Sequence, residues 1–276
     1  MALIPKQENE QLLSAIEAIE ISELPRHYLG MSQIGEQCVR KLQYYWRWAS
    51  KIGYSQRVSR IFRTGHLAED FIIHDIHQVG GEVFGRQDEY VGSGGHWKGH
   101  GDGKCKHIPG YEDKVLLLEI KTHNDKSFKG LLRDKVEKSK PMHYAQMQRY
   151  MHAEDLELGL YYAYNKNTSE YYVEFIPLDR SFAEELIEKE MTVITSDKIY
   201  PRIGNGLPNW HECRFCDFKK VCHGQQDFEQ NCRTCRFVDI LDEGKWSCTK
   251  DNQELDLEFQ LKGCDVWELD EEYFNG

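Results

Sequence analysis

Asp102, Glu119 and Lys121 are the residues whose types and spacing most directly suggest chemistry. Glu119 and Lys121 alternate with apolar residues in KVLLLEIKT, and Asp102 lies between two glycines in GHGDGKC. Because successive side chains of a strand point to opposite faces, Glu119 and Lys121 should share one face of a buried strand. Burying a carboxylate beside an ammonium costs desolvation energy that an apolar pair avoids. The pair is therefore either a structural ion pair or part of a cation site.

The surroundings of Asp102 favour the cation site. Glycine in a strand lets a ligand approach the backbone closely. Carboxylate oxygens from two neighbouring strands are hard ligands of the kind that Mg²⁺ or Mn²⁺ binds. The sequence thus offers Asp102 and Glu119 as candidate ligands of a divalent ion.

Seven of the nine cysteines fall into two groups with metal-ligand spacing, and Cys38 stands apart from them in the N-terminal part of the chain. The first is the triplet Cys213, Cys216 and Cys222 in ECRFCDFKKVCHG, which needs a fourth ligand, and His211 or His223 could substitute. The second is the quartet Cys232, Cys235, Cys248 and Cys264, which has one Cys-x-x-Cys arm, as in a small zinc ribbon. The alternative for the quartet is unpaired thiols in a disordered tail. The ninth, Cys105, is expected to be a small buried hydrophobe.

Sequence periodicity predicts an α/β chain with a mixed sheet. Helices are predicted near residues 8–20, 56–78, 124–138, 141–153 and 181–199, with a further helix that begins at Ser32 and carries Cys38 in its second turn. Strands are predicted within residues 81–92, 97–108, 114–122, 156–166 and 170–178, the first three as an antiparallel run.

Three further motifs stand in an order seen in one group of nucleases. RTGHLAED contains His66, HYAQMQRYM contains Gln146 and Tyr150 in a Gln-h-x-x-Tyr pattern, and MSQIGEQCVRKLQYYWR precedes both. With Asp102 and Glu-x-Lys, the chain resembles the PD-(D/E)XK nuclease superfamily. Within it, the chain is similar to RecB/AddB-type iron-sulfur exonucleases, including the RecB-like nuclease of CRISPR adaptation. The resemblance covers residues 28 to about 224 and implies a restriction-endonuclease-like mixed central sheet flanked by helices.

The resemblance also implies a metal centre. Asp102, Glu119, His66 and the main-chain carbonyl of Ile120 would hold one or two divalent ions that polarise the scissile phosphate and lower the pKa of a bound water. Lys121 would orient that water and offset the charge that grows on the phosphate. His66 could equally be a hydrogen-bonded core histidine.

The remaining motif residues have less defined roles. Gln146 and Tyr150 lie one helical turn apart, and the resemblance implies that they position the nucleic-acid strand, although an ordinary helix face would show the same spacing. Glu69 and Asp70, one turn from His66, could assist metal binding or could be solvated.

For the cysteine triplet, the resemblance implies a 4Fe-4S cluster completed by Cys38. Such a cluster would join two distant parts of the chain and constrain the unfolded state. Its role would be structural. Zinc is the competing metal, because four thiolates satisfy it equally well.

Two domains are expected, a nuclease domain at residues 1–224 and a small zinc-ribbon-like acidic tail at residues 225–276. The tail departs from the RecB-type pattern and resembles the cysteine-rich tails of some phage-encoded nucleases. Residues 251–276 hold nine acidic residues against one lysine. This end of the chain could recruit a recombination or replication protein, or could simply maintain solubility.

The charge distribution bears on the partner. A formal net charge of -11 argues weakly against nucleic acid. Between Arg26 and Arg63, however, eight basic residues and one acid are interleaved with Tyr44, Tyr45, Trp46 and Trp48, a pattern that suits single-stranded nucleic acid. The alternative is a solvated face over an amphipathic helix. The first twenty residues contain no long apolar run, so a soluble, cytoplasmic protein of a prokaryotic cell or phage-infected host is expected.

Together these features predict a divalent-metal-dependent DNA exonuclease that acts in recombination, repair or replication, on DNA that is single-stranded or contains ends. One alternative is an endonuclease or RNase on the same scaffold. Another is a nuclease-like module that grips DNA ends or a partner protein without cutting. A redox enzyme built on the cysteines ranks third, because no dinucleotide-binding fingerprint is present.

Overall fold

The computed structural model describes residues 6–19 and 25–275, with side chains from residue 10 onward. The helices are α1 (Lys6–Glu17), α2 (Val39–Trp46), α3 (Gln56–Gln78), α4 (Asp125–Ser139), α5 (Pro141–Ala153), α6 (Arg180–Thr195), α7 (Lys219–Cys222), α8 (Leu257–Lys262) and α9 (Glu271–Phe274). The strands are β1 (Leu29–Gly30), β2 (Glu82–Phe84), β3 (Glu89–Val91), β4 (Trp97–His100), β5 (Gly103–Lys106), β6 (Leu116–His123), β7 (Leu158–Asn165), β8 (Tyr171–Pro177), β9 (Val238–Ile240), β10 (Trp246–Cys248) and β11 (Gln253–Glu254). Short 3-10 helices occur at Met31–Gln33, Ser93–Gly95 and Cys232–Thr234.

The largest sheet has five strands in the order β2-β5-β6-β7-β8. β6 and β7 pair in parallel, and the other neighbouring strands pair antiparallel. The parallel pair requires a crossover, which α4 and α5 provide. The predicted mixed α/β class is therefore confirmed.

Two layers of helix cover this sheet. On one face, Ala68, Ile72 and Ile76 of α3 pack with Leu116 and Leu118 of β6. On the other face, the core contains residues from α4, α5, α6 and the alternate positions of β6 and β7: Phe128, Leu131, Ala145, Met147, Leu186, Leu117 and Tyr161. β6 is thus covered on both sides, as its run of apolar residues requires.

Two predicted strands each divide into two. Residues 81–92 form β2 and β3, and residues 97–108 form β4 and β5, with one half of each in the five-stranded sheet and the other half in a second sheet, β1-β4-β3. Gly85 has a φ of 61°, which allows the turn after β2. The antiparallel run predicted from three strands is present as β2-β5-β6, and the difference is that turns redirect the remaining halves, β3 and β4, into the second sheet.

The predicted helix from Ser32 is also different. Residues Met31–Gln33 form a 3-10 helix, and α2 begins only at Val39, so Cys38 is its N-cap residue instead of lying in a second turn. Helix 56–78 is confirmed. The helix predicted over 8–20 ends at Glu17, and residue 20 lies outside the described residues.

The aromatic residues predicted for base stacking are largely in the core. Tyr44 and Trp46 are each 1% exposed and Trp48 is 7% exposed. Of the basic residues in this stretch, Arg40 and Arg47 are also buried, and Arg40 donates to the Tyr44 hydroxyl and the Tyr200 carbonyl. The α2 segment therefore contributes to packing. The alternative of a solvated face over an amphipathic helix does not describe these aromatic rings or these arginines.

Residues 225–276 pack onto the rest of the protein. Trp246 is buried and its ring lies 4.7 Å from that of Trp46. Arg233, only 1% exposed, donates to the main-chain carbonyls of Trp46 and His27. The tail forms the sheet β11-β10-β9, and its residues Trp246 and Leu255 belong to the main core. No described helix is long and apolar enough to cross a membrane.

Candidate active site and cysteine clusters

The candidate centre is formed by the polar face of β6. Glu119, Lys121 and His123 alternate along it with residues that face α3, as the strand period requires. Glu119 is paired in register with Tyr161 of β7, and Asp102 immediately precedes β5 on the opposite side. The neighbouring strands β5 and β6 therefore bring an acid, an amine and a second acid together.

Lys121 bridges the two acids. Its Nζ contacts Oε1 of Glu119 and lies 3.6 Å from Oδ2 of Asp102. Oδ2 of Asp102 also accepts a 2.7 Å hydrogen bond from the main-chain N–H of Ile120, which fixes the carboxylate against β6. The predicted proximity of the three side chains is present in the structure.

Burial controls the charges here. Glu119 is 0% exposed, and this burial raises its pKa to about 7, with Asp102 and Glu69 adding to the shift and Lys121 opposing it. Burial alone would lower the pKa of Lys121, but Asp102 and Glu119 raise it above its ordinary value. Lys121 therefore stays protonated and acts as a fixed cation, not as a base.

One feature of Glu119 fits the binding of a divalent cation. Oε2 of Glu119 is buried and has no hydrogen-bond partner among the described residues. Such an orphaned acceptor is costly unless a cation or donor reaches it. As the side chains stand, however, no group of three or more His, Cys, Asp or Glu within the described chain is placed to hold a metal ion. Lys121 instead lies between Glu119 and Asp102.

Glu69, and not His66, faces this centre. The Glu69 side chain is 16% exposed, and burial together with the negative charge of Asp102 raises its pKa. The His66 side chain is 74% exposed and reaches Glu69 at 3.4 Å through Nδ1. Asp70 points elsewhere and pairs with Arg86 at 3.0 Å. His66 thus lies at the periphery of the centre, and Glu69 faces it. The sequence indicated Glu69 only through its position one helical turn from His66.

Gln146 and Tyr150 both lie on the buried side of α5. Gln146 is 6% exposed and Tyr150 is 1% exposed. The Tyr150 ring stacks on Tyr90 at 4.3 Å, and its hydroxyl donates to the His100 carbonyl at 3.4 Å. A Cβ atom at Gly99 would collide with that hydroxyl, so the glycine makes room for the ring instead of for a ligand. Any effect of Tyr150 on a bound strand must therefore pass through its neighbours.

A second buried network adjoins Lys121, and no sequence motif indicates it. The Tyr161 hydroxyl lies 2.9 Å from Nε2 of His123 and 2.8 Å from Nδ1 of His143. Burial, together with the charge of Lys121 and of other lysines, lowers the pKa of His123 to about 4 and that of His143 to about 3. Both imidazoles are neutral, so one ring must donate to the hydroxyl oxygen while the other accepts its proton.

Tyr161→Phe should destabilise the protein by about 1–3 kcal/mol, because two buried imidazoles lose their shared partner. Urea unfolding measures the loss. The matched control is Tyr162→Phe, whose half-buried ring lies on the other face of β7 and which should have a smaller effect. Equal effects of the two substitutions would show that the network contributes nothing specific.

Cys38 of the first cysteine group lies near the triplet. Burial raises the pKa of Cys38, and the nearby Cys222 and Cys213 add to the shift. Cys38 likewise adds to the raised pKa of Cys216. α2 and the triplet segment are joined by the Tyr45 hydroxyl, which donates to Asp217 at 2.8 Å, and by packing of the Tyr44 and Tyr45 rings on Phe218.

The two alternative histidine ligands differ in their surroundings. His211 pairs with Glu212 at 2.9 Å. Nε2 of His223, beside Cys222, is buried and lacks a hydrogen-bond partner in the part of the chain that is described. His223 is therefore the better placed of the two to substitute for a thiol.

The cysteines of the second group also lie near one another. Burial raises the pKa of Cys232 to about 11, with Cys264, Cys235 and Cys248 adding to the shift in that order. Cys105, by contrast, is 0% exposed in the core between α3 and the sheet, as expected for a small buried hydrophobe.

No family model and no curated protein matches the chain. Among solved structures, it is similar to LHK-Exo, an alkaline exonuclease from Laribacter hongkongensis, with 14% identity and a TM-score of 0.41 over 61% of this chain and 87% of that one. It is also similar to a phage-related exonuclease from Haemophilus somnus 129PT, with 13% identity and a TM-score of 0.43 over 63% and 92%. The protein SSO0001 gives 18% identity and a TM-score of 0.42 over 80% and 95%. The function of this chain must therefore be argued from its own residues.

Proposed function

We propose that the protein is a divalent-metal-dependent DNA exonuclease that hydrolyses phosphodiester bonds. The observation that carries the proposal is the buried centre in which Lys121 bridges Glu119 and Asp102 while Oε2 of Glu119 has no partner among the described residues. An ion pair serving structure alone would not require a carboxylate oxygen to be left unsatisfied in the core.

Each residue of the centre has a distinct role in this proposal. Asp102 and Glu119 would hold Mg²⁺ or Mn²⁺, with the Ile120 carbonyl beside them and Glu69 or His66 completing the set. A bound divalent ion supplies Lewis-acid activation of the phosphate and of water. Lys121, which stays protonated, stabilises the negative charge that grows on the phosphate oxygens. Gln146 and Tyr150 keep α5 against the sheet beside this centre.

The first cysteine group is proposed to hold a 4Fe-4S cluster through Cys38, Cys213, Cys216 and Cys222. Four thiols from α2 and the triplet segment suit the cluster. Zinc remains the competing metal. Either metal would fasten α2, with its buried aromatic residues, to the chain after α6.

The exposed half of α3 is the proposed path of a single strand. Phe62 is 52% exposed, and Arg57 and Arg63 are exposed on the same half-helix. One turn further on, the helix presents His66 at the periphery of the centre, and two turns further on it presents Glu69 towards the centre. An aromatic face flanked by arginines matches the stacking and charge pairing that single strands require.

Binding of single-stranded DNA should become less salt-dependent when Arg57 and Arg63 are both replaced by Ala. Each lost phosphate contact should reduce the slope of log K against log salt by roughly 0.7. Fluorescence anisotropy at several salt concentrations measures the slope. The control is Arg133→Ala with Lys138→Ala on α4, which packs on the opposite face of the sheet and should leave the slope unchanged. A slope that is unaffected in the α3 variant would rule out this path.

The substrate experiment separates the exonuclease from its alternatives. Linear end-labelled DNA, covalently closed single-stranded circles and RNA of the same sequence are incubated with the protein and Mn²⁺. An exonuclease degrades the linear DNA alone. Cleavage of circles would indicate an endonuclease, cleavage of RNA an RNase, and tight binding to ends without cleavage a non-catalytic module. We also propose that the acidic tail is a docking site for a recombination or replication protein. The substrate assay does not test this part of the proposal.

A further inference from the structure

Four cysteines of the tail line one small cavity although they come from separate parts of its fold: Cys232, Cys235, Cys248 and Cys264. The first two bracket a 3-10 turn, Cys248 ends β10, and Cys264 follows α8. The cavity has a volume of about 20 Å³, enough for one body the size of a water molecule. Because the walls at Leu255, Val266 and Trp267 are apolar, an atom or ion in the cavity would have few polar partners other than the cysteines.

The backbone around the cysteines is organised to keep them together. Oδ1 of Asn231 accepts hydrogen bonds from the main-chain N–H groups of Arg233 and Thr234 at 2.9 and 3.2 Å, which tightens the turn between Cys232 and Cys235. Gly263, with a φ of 65°, ends α8 and redirects the chain into Cys264. β10 pairs with β9 so that Cys248 lies opposite Val238, three residues beyond Cys235.

The strands that carry this arrangement are short. β9, β10 and β11 contain three, three and two residues. Strands of this length hold a sheet together only with help from packing or a cross-link. Trp246 supplies packing against Trp46, and Cys232 and Cys248 pack at the edge of the same core.

We propose that Cys232, Cys235, Cys248 and Cys264 bind one Zn²⁺ as a four-thiolate structural site. The arrangement of a Cys-x-x-Cys turn and two further thiols is that of a closed zinc site without an open position for substrate. Four thiolates around Zn²⁺ carry a net negative charge, and Lys250, which lines the cavity, faces it. The inference does not depend on the proposed nuclease function.

The thiols must rotate to bind the ion. In the described chain no group of three or more potential ligands is yet placed to hold a metal. Sγ of Cys232 donates to the Phe259 carbonyl at 3.3 Å, and Sγ of Cys248 lies 3.9 Å from Oδ2 of Asp251. Each cysteine side chain can rotate about its Cα–Cβ bond, and ion binding would release the thiol protons.

The site would secure the tail to the body of the protein. Nε1 of Trp267, a wall of the cavity, donates to the Asn231 carbonyl at 3.0 Å, and the adjacent Arg233 donates to the Trp46 carbonyl at 3.0 Å. On the far side of the unit, the Leu241 carbonyl lies 2.8 Å from Nε2 of His96, between β3 and β4. Zinc would therefore stabilise the contacts that join the tail to α2 and to the second sheet.

The test is the metal content of the full chain purified without oxygen. Cys248→Ser combined with Cys264→Ser should lower the zinc content by about one atom per chain, while Cys105→Ala, which removes a buried thiol elsewhere, should leave it unchanged. Cys213→Ser with Cys216→Ser should remove the metal of the first group and spare this zinc. If the tail variant does not fold, wild-type protein is stripped of metal and given Co²⁺ alone, with and without Cys213→Ser and Cys216→Ser. Absorption typical of tetrahedral cobalt thiolate in both proteins is then expected.

Two results would overturn the proposal. One is a zinc content that the tail variant does not change. The other is wild-type protein in which these four thiols are paired as disulfides, or remain free, with no cobalt spectrum once the first group is removed.

Discussion

Lys121→Ala should lower the rate of Mn²⁺-dependent DNA degradation by about 10²–10³-fold, the loss typical of removing one group that stabilises transition-state charge. The ammonium is held protonated by Asp102 and Glu119, so it presents a fixed positive charge at the centre. A divalent ion held by Asp102 and Glu119 would supply Lewis-acid activation, and Lys121 would supply a separate positive charge that the variant lacks. Initial rates on end-labelled single-stranded DNA measure the effect.

The matched control is Lys104→Ala. Lys104 lies on neighbouring β5 and also bridges two carboxylates, with its Nζ 3.1 Å from Asp88 and 2.8 Å from Glu154. It shares the burial and the ion pairing of Lys121 but is not part of the Asp102–Glu119 centre. Its substitution should leave the rate within a few fold of wild type. If both variants lose activity equally, the effect belongs to general stability, and the assignment of Lys121 fails.

Arg149→Met should give the largest loss of stability, about 3–5 kcal/mol, because it leaves a buried carboxylate without its charge partner. Nε of Arg149 donates to Glu190 at 2.7 Å, and the Glu190 side chain is 0% exposed. The other oxygen of Glu190 accepts from the N–H and hydroxyl of Ser93 at 3.1 and 3.0 Å. The pair therefore joins α5, α6 and the turn before β4. Guanidinium chloride unfolding measures the loss.

A second substitution distinguishes charge from packing. Adding Glu190→Gln to Arg149→Met removes the unpaired charge and keeps hydrogen bonding to Ser93, so the double variant should be more stable than Arg149→Met alone. Arg133→Ala, which breaks an exposed pair with Asp134, should leave the melting temperature unchanged. A double variant that is less stable than Arg149→Met alone would contradict the account of this pair.

Sequence periodicity predicted secondary structure most accurately where a helix or strand buries a single regular face. α3 was bounded at residues 56–78 because its apolar stripe is long and unbroken. The face shared by Glu119 and Lys121 followed from the period of two. Periodicity could not tell which strand pairs with which, so the divisions between β2 and β3 and between β4 and β5 were missed.

The sequence predicted the residue types of the candidate site better than the contacts between those residues. Motif spacing located Asp102, Glu119 and Lys121, and the structure places them together. Exposure was not predictable, because it depends on residues distant in sequence. Tyr150 is covered by Tyr90, and Glu69 faces the centre in place of His66.

Buried polar partners were missed for the same reason. His123, Tyr161 and His143 meet across a strand pair and a helix, and Arg233 reaches His27 across 206 positions of sequence. No local pattern marks such contacts. The aromatic run from Tyr44 to Trp48 was predicted to contact bases because its pattern suits stacking. In the structure these rings instead pack α2 against the tail.

The central claim is that Glu119 binds a divalent ion that DNA hydrolysis requires, and one assay tests it most directly. Wild-type protein and Glu119→Gln are compared for release of label from end-labelled single-stranded DNA, with Mn²⁺ and with a chelator. The account predicts release by wild type with Mn²⁺, none with the chelator, and none by Glu119→Gln at a temperature at which circular dichroism shows that the variant is folded. Undiminished release by Glu119→Gln, or release by wild type in the chelator, would contradict it.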